Sequence, residues 1–484
     1  VSHGGPTGGN VLATKWERMS QVRALMSQYR ARIRPLLAGR ALLVDVGKLQ
    51  VAQIVAALCG VLQIVLITRA LTPTDFGIWG LVISAATLAR QVFSSRSNAL
   101  LIRYHARFGA LEQRRARRAV VGLALLLDLA ATALGALLLV ALATPLAAIV
   151  LHDPAHRPLV HLGALLLLCG LGNATATALL SVEQRFGAIA TTDAVAAVVT
   201  LLLVAPITLL APAVAYLLLA IAGATLLQTA LRWMLAARGA VWADATGDRG
   251  WRALGALRPY AGELGRFVFG TNLLVTLKLI KGNVPGLFLG AALSPAHAGF
   301  YLLAQRIIDR MGAFIGPTQQ VVFPRLSRAL ADGDRRAARR TYRGALGLNL
   351  LILLPFALVF AALGRWSVPF VFGAQYAAAV GVVQIVVLAF VVGSVLMVHV
   401  PLLTAAARLL VINAAYLAGI AVQLLLLLTL APRYGSVGAA WALLSFHAVA
   451  VLITLPAVAR TLRSPARADD RAIDLAGGAT RQVP

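Results

Sequence analysis

Charge is scarce in this sequence, and acidic charge is the scarcer kind. Only 13% of the 484 residues are charged, with 17 Asp+Glu against 44 Lys+Arg. A water-facing surface needs about 25%, so a soluble enzyme and a disordered chain are both excluded. Cysteine is limited to Cys59 and Cys169, each inside an apolar run, which excludes a disulfide scaffold and predicts free thiols. No CxxC and no Cys/His cluster occurs, so the sequence implies no metal site and no cofactor. Basic segments are not interleaved with aromatics in the manner of single-strand platforms, and the net charge of +27 does not read as nucleic-acid binding. The first apolar run lies behind a long basic stretch and ends without a small-residue cleavage site, so no cleavable signal peptide is expected.

Hydrocarbon is what the chain has in quantity. Apolar residues make up 60%, with a mean hydropathy of +0.83, and they come in blocks of about 20, enough to cross a bilayer. The blocks fall at 42–68, 77–98, 119–143, 159–180, 187–210 and 212–235, then at 264–290, 298–323, 344–363, 376–404, 409–430 and 435–459. This predicts an all-α polytopic membrane protein with twelve transmembrane helices in two groups of six. Its expected divisions are a basic N-terminal segment (1–41), a first bundle (42–235), a linker (236–263), a second bundle (264–460) and a disordered tail (461–484). The linker is the longest gap, so no extramembrane domain is large enough to carry chemistry.

Orientation follows from the basic residues. With a cytoplasmic N-terminus, 33 Lys and Arg fall on the cytoplasmic side and only Arg69, Arg157, Arg365 and Arg433 on the other. The positive-inside rule then places both termini in the cytoplasm. The two groups also repeat. A shift of 222 residues lays Leu71-Thr-Pro73-Thr-Asp-Phe-Gly77-Ile-Trp79 over Leu293-Ser-Pro295-Ala-His-Ala-Gly299-Phe-Tyr301, and Arg103, Arg114, Arg117 and Arg118 over Arg325, Arg336, Arg339 and Arg340. Six helices per group is an even number, so both groups enter from one side. They are parallel repeats about an axis along the membrane normal, an arrangement associated with alternating access.

The stretch Leu293–Arg328, with its GFY after a proline turn and FPRLSR at the end, resembles oligosaccharide flippases. These are the Wzx-type polysaccharide transporters of the multidrug/oligosaccharidyl-lipid/polysaccharide (MOP) exporter superfamily. Phe372-Gly373-Ala-Gln-Tyr376 is similar to the family's FG-x-x-Y, Arg433-Tyr434-Gly435-Ser-Val-Gly438-Ala439-Ala440 to its YG-x-x-G-A-A, and Leu71-Thr-Pro73-Thr-Asp75-Phe76-Gly77 to its first turn. The resemblance implies two bundles in a V around a central cavity (a MATE/MOP-like fold). It also implies translocation of a polyprenyl-diphosphate-linked oligosaccharide across the inner membrane for lipopolysaccharide or exopolysaccharide synthesis. Polysaccharide polymerase and glycosyltransferases of the same pathway would be partners. One departure is Asn283, where relatives often carry an acidic residue.

Seven basic residues are assigned to neither side and lie inside the blocks, where an ionisable group costs about 2.5 kcal/mol or more and is a functional candidate by default. Arg306, Arg310, Lys278, Lys281 and Arg90 fall deep. Lys48 and Arg96 are near enough to the inner headgroups to snorkel and are secondary cavity candidates, as is Asp309. Against the five deep bases stand Asp128, Asp193 and Asp309. The surplus of base calls for water and an anionic cargo, such as a diphosphate or acidic sugar bound by Arg and Lys. Arg306 and Arg310 share a helix face, and Asp309, three residues from Arg306, offers a competing reading as a structural ion pair.

Gly282-Asn-Val-Pro285-Gly286 should kink the 264–290 block, either as a gate hinge or as a passive bend. His399 and His447 fall where imidazole titration or simple packing would both fit. Gln53, Gln63, Asn272, Gln305, Gln319 and Gln320 would serve sugar hydroxyls or bridge helices. Anionic membrane lipids are expected at the basic loops. Two other functions compete with a flippase. A cation-coupled multidrug exporter needs acidic residues where this chain has basic ones. A membrane polymerase or glycosyltransferase would have only the 144–158 loop, with His152, Asp153 and His156, on which to build a site.

Overall fold

The computed structural model describes residues 52–93, 96–246 and 251–463. The described residues are almost wholly helical. The first half comprises α1 (Ala52–Ala70), α2 (Pro73–Val92), α3 (Ser97–Ala110), α4 (Arg114–Ala141), α5 (Arg157–Cys169), α6 (Asn173–Val182), α7 (Phe186–Leu210) and α8 (Val214–Ala237). A short helix, α9 (Ala240–Thr246), and a 3-10 segment (Trp251–Tyr260) lead into the second half. There follow α10 (Ala261–Ala292), α11 (Pro295–Ala331), α12 (Arg335–Phe372), α13 (Val380–Ala405) and α14 (Leu409–Arg463).

Among the described residues, nine helices are long and apolar enough to cross a membrane. The longest, α14, is two helices meeting at Gly435, where φ is 60° and ψ −139°. A side chain there would be strained, and its Cβ would come 2.7 Å from His297. The charged helices α10 and α11 have membrane-spanning length as well, at 32 and 37 residues. Their charges are the subject of the next section. Large apolar side chains such as Leu410 (84% exposed) and Phe370 (78%) stand on outer faces, as lipid contact demands.

The sequence repeat is visible as capping chemistry. Thr72 caps α2 by accepting the Asp75 amide, with Pro73 in the first turn. Ser294 caps α11 by accepting the His297 amide, with Pro295 in the same place. Proline costs nothing there because the first-turn amide has no partner in the helix. The two turns then meet. Gly77 lies so close to Pro295 that an added Cβ would fall 1.8 Å from its carbonyl oxygen, and a Cβ on Gly299 would fall 2.3 Å from that of Pro73. Each repeat thus supplies the glycine that admits the other's proline carbonyl.

Other bonds tie the halves at this turn end. Arg69 donates to the carbonyls of Phe370 and Val371, Gln375 to Thr68 (2.9 Å), and the Tyr376 hydroxyl to Leu71 (3.3 Å). At the basic end, α3 meets the first turns of α10. Arg107 pairs with Glu263, and Tyr104 donates to the same carboxylate at 3.1 Å.

The segments Ala240–Thr246 and Trp251–Tyr260 pack against the first half. Asp244 accepts from Arg117 at 3.0 Å and from Arg118 at 2.6 Å. Tyr260 donates to Gln113 at 2.9 Å, and Glu183 accepts the Val241 amide at 3.0 Å. The Arg118 hydrogen bond holds the Asp244 carboxyl below its usual 3.8. Its contribution is therefore complete above that value and is lost as pH falls through the depressed one. Asp244→Ala should raise hydrogen exchange across 240–260 several-fold at neutral pH, with little change in α5. Acidification of the parent to well below the usual carboxylate range should mimic it. Equal exchange in the two proteins would show that apolar packing alone holds the segment.

Candidate functional site

Helix α11 separates two cavities, and its charged residues divide between them. Arg306 and Arg310 are four apart and share one face. They line a cavity of about 640 Å³ with Gln53, Gly60 and Gln63 of α1, Trp79 of α2, Asp193 of α7 and Gln228 of α8. Gln305, Asp309 and Gly312 face a second cavity of about 740 Å³ with Lys278, Lys281 and Gly282 of α10 and His447 of α14. The two sets sit on adjacent faces because a step of three residues rotates a helix well short of a full turn.

In the first cavity, the Arg306 guanidinium lies 5.5 Å from the Trp79 ring centre, a cation–π distance. The Arg310 guanidinium lies directly over Gly60, where a Cβ would come 2.2 Å from its central carbon. Its Nε is buried with no hydrogen-bond acceptor. A buried donor left unmet costs about 1–3 kcal/mol, so this one is expected to find its acceptor in a ligand or in water. Among the described residues, no carboxylate pairs with Arg306 or Arg310. The competing structural bridge to Asp309 is not formed.

In the second cavity, Lys281 Nζ is 3.4 Å from His447 Nε2 and 5.2 Å from the Phe446 ring centre. His447 Nδ1 lies 3.1 Å from the Leu443 carbonyl. If it donates there, Nε2 remains as an acceptor facing the ammonium. Lys278 is exposed to the same space. His399 is a packing residue, fully buried between the Tyr342 hydroxyl (2.9 Å) and the Thr454 hydroxyl (2.7 Å).

Other candidates fall elsewhere. Arg90 ends α2 and is exposed, its backbone pressed against Gly135 of α4, and it lines neither cavity. Arg96 precedes α3 in a left-handed conformation, with φ 48°, and is likewise outside both linings. Lys48 lies outside the described residues, as do the side chains of Asn272, Gln319 and Gln320. Helix α10 continues through Gly282, Pro285 and Gly286 without a break. Neighbouring turns of a long helix absorb the single amide that proline lacks.

The sequence misplaced one charge. Arg232, counted with the linker, is 7% exposed. It pairs with Asp193 and donates to Thr192 (3.1 Å), Asn173 (3.0 Å) and Thr177 (3.2 Å). The available signal was that Arg232 lies inside the apolar block ending at 235. Asp128 is satisfied by the Thr175 amide (2.9 Å) and hydroxyl (3.1 Å). Two of the three deep carboxylates are thus already engaged, and the basic surplus around α11 is larger than composition indicated. Gly60, which seats Arg310, carried no signal of its own, and Trp79, beside Arg306, was legible only as the aromatic that ends the repeated turn.

A family model described as polysaccharide biosynthesis protein matches residues 65–381. Among solved structures, the chain is similar to the lipid II flippase MurJ in an inward closed conformation, with 13% identity, 85% of this chain and 87% of that one covered, and a TM-score of 0.66. It is similar to a multidrug resistance MATE family transporter of the MOP superfamily in an inward-facing conformation, with 13% identity, 86% and 96% covered, and a TM-score of 0.64. An outward-facing conformation of such a transporter gives 14% identity, 86% and 96% covered, and 0.53. No curated protein matches.

Proposed function

Because the chain belongs to the polysaccharide biosynthesis protein family and has the MOP transporter fold, we propose that it flips a polyprenyl-diphosphate-linked oligosaccharide across the cytoplasmic membrane. The observation that carries this reading is the pair Arg306 and Arg310 in a membrane-embedded cavity, without a carboxylate partner among the described residues. A diphosphate supplies two or more charges and several acceptor oxygens, which suit the planar guanidinium donors. The second cavity adds Lys278 and Lys281 as point charges. Gln53 and Gln228 line the first cavity and would serve sugar hydroxyls there. Of the deep acidic residues that a cationic drug would need, Asp193 and Asp128 are bonded to Arg232 and Thr175, and Asp309 shares its cavity with Lys278 and Lys281. Polymerase and glycosyltransferases of the same pathway are the expected partners.

Both termini are taken as cytoplasmic, on the basic-residue bias, so the turn end faces outward. The joined turns at Gly77 and Gly299 and the greater similarity to inward-facing than to outward-facing neighbours support an inward-facing state. The test is reconstitution in liposomes with a labelled lipid-diphosphate oligosaccharide. Protein-dependent crossing is expected. Crossing of cationic drugs with none of the lipid would instead favour the exporter.

The glycines of α10 are proposed as its point of bending between states. A Cβ at Gly282 meets open space, whereas one at Gly286 comes 3.1 Å from Leu302. Gly282→Ala with Gly286→Ala should slow transport several-fold without loss of folded protein. Full transport in this variant would leave Pro285 a passive feature.

A further inference from the structure

The two repeat-related basic loops are neutralised in different ways. In the first half, Arg117 and Arg118 share the carboxylate of Asp244. Their counterparts, 222 residues on, are Arg339 and Arg340. Arg339 donates to the Leu462 carbonyl (3.1 Å) and Arg335 to the Thr461 carbonyl (2.9 Å). These two arginines cap the last turn of α14, whose carbonyls have no partner within the helix.

Arg336, Arg340 and Arg343 are left exposed. No carboxylate pairs with them among the described residues. All five arginines line one cleft of about 750 Å³ together with Gly344. Arg335 and Arg336 stand in the first turn of α12, where the positive end of the helix dipole attracts an anion, and Arg339, Arg340 and Arg343 follow in the next turns.

What lies beneath the arginines identifies the anion's shape. Positions 336, 340, 343, 347 and 351 follow steps of four and three along one helix face. Gly344 and Gly347 have no atom within 4 Å of where a Cβ would sit. Leu351 and Leu358, further along that face, are 71% and 65% exposed. An arginine cluster therefore stands at the head of an open apolar furrow.

We infer that this face of α12 binds an anionic phospholipid, with its phosphate on Arg336, Arg340 and Arg343 and an acyl chain along Gly344, Gly347 and Leu351. A free phosphate would have no use for the furrow. The lipid phosphate does in the second half what the Asp244 carboxylate does in the first. Guanidinium groups suit the task because they bond phosphate oxygens in pairs and keep their charge at an interface.

The full chain, purified in detergent, can be titrated with phosphatidylglycerol and with phosphatidylcholine and read by native mass spectrometry. Phosphatidylglycerol should be retained at least tenfold better. Arg336→Gln with Arg340→Gln and Arg343→Gln should abolish that preference. Arg325→Gln with Arg328→Gln, which removes charge at the end of α11, should leave it within twofold. Gly347→Leu keeps every charge and fills the furrow, so it should weaken retention about threefold or more. An unchanged preference in the triple variant overturns the inference, as does an equal loss in the Arg325/Arg328 control. A polyprenyl diphosphate that displaces phosphatidylglycerol at stoichiometric amounts would assign the cleft to the transported lipid instead. Binding that appears only in a chain ending at Arg463 would assign it to the acidic residues of 464–484.

Discussion

Arg310→Ala should lower lipid-diphosphate flipping at least tenfold while the protein continues to express and fold. A hydrogen bond from a charged donor contributes about 1.5–3 kcal/mol, or roughly ten- to a hundredfold. Arg310 has no carboxylate partner to lose among the described residues, and its Nε is a buried donor without an acceptor. Arg306→Ala should act in the same direction. It also removes the Trp79 contact, so a smaller share of its effect comes from cargo. Arg310→Lys should retain part of the activity, since an ammonium keeps the charge and loses the fork.

Gly60→Ala is the more discriminating variant. It leaves every charge in place, yet its methyl would occupy the space of the guanidinium, 2.2 Å from the central carbon. Transport should fall with stability nearly unchanged, because the displaced side chain is flexible and borders a cavity. A structural pair would behave otherwise. If Arg306→Ala and Asp309→Ala each lose folded protein and the double variant recovers it, the cargo role of Arg306 is wrong.

Gly77→Val or Gly299→Val should hold the turn end open. The obstructing atoms are backbone carbonyl oxygens, at 1.8 and 2.3 Å from the added Cβ, and no rotamer change relieves them. Overpacking of this kind costs about 1–3 kcal/mol, and a cost of 2 kcal/mol falls wholly on the joined state. That shifts the population roughly thirtyfold toward separated turns. Spin labels at Thr74 and Ala296, which the repeat makes equivalent, should report a longer distance, and transport should slow by a similar factor. The same substitution on either side should give the same result, because the contact is reciprocal. An unchanged distance with full transport would show that the turns need not close.

The helical class and the order of the apolar helices were largely legible in the residues, the start of the first block (42–51) lying outside the described residues. The apolar blocks map onto the helices because backbone amides in hydrocarbon must bond within their own helix. The proline turns, which stand between apolar blocks, are helix caps. Arg232 shows the limit of counting. Three residues inside its block, it turns inward to Asp193 and no longer belongs to the loop. The linker, which composition marked only as polar, is pinned by Asp244. That pairing joins residues more than 120 positions apart and leaves no local pattern.

Residue content and order alone determined that this chain lives in a bilayer, that its two proline turns repeat and that its deep charge is basic. Those are consequences of transfer free energy and of period, both local in sequence. Tertiary structure decided which bases are free. Asp309 lies one residue from Arg310 yet faces another cavity. Arg117 and Arg339 are repeat partners, yet one meets a carboxylate and the other a helix end. Whether a charge is spent within the protein or left for a ligand depends on what the opposing helix presents, and that is set by packing across hundreds of residues.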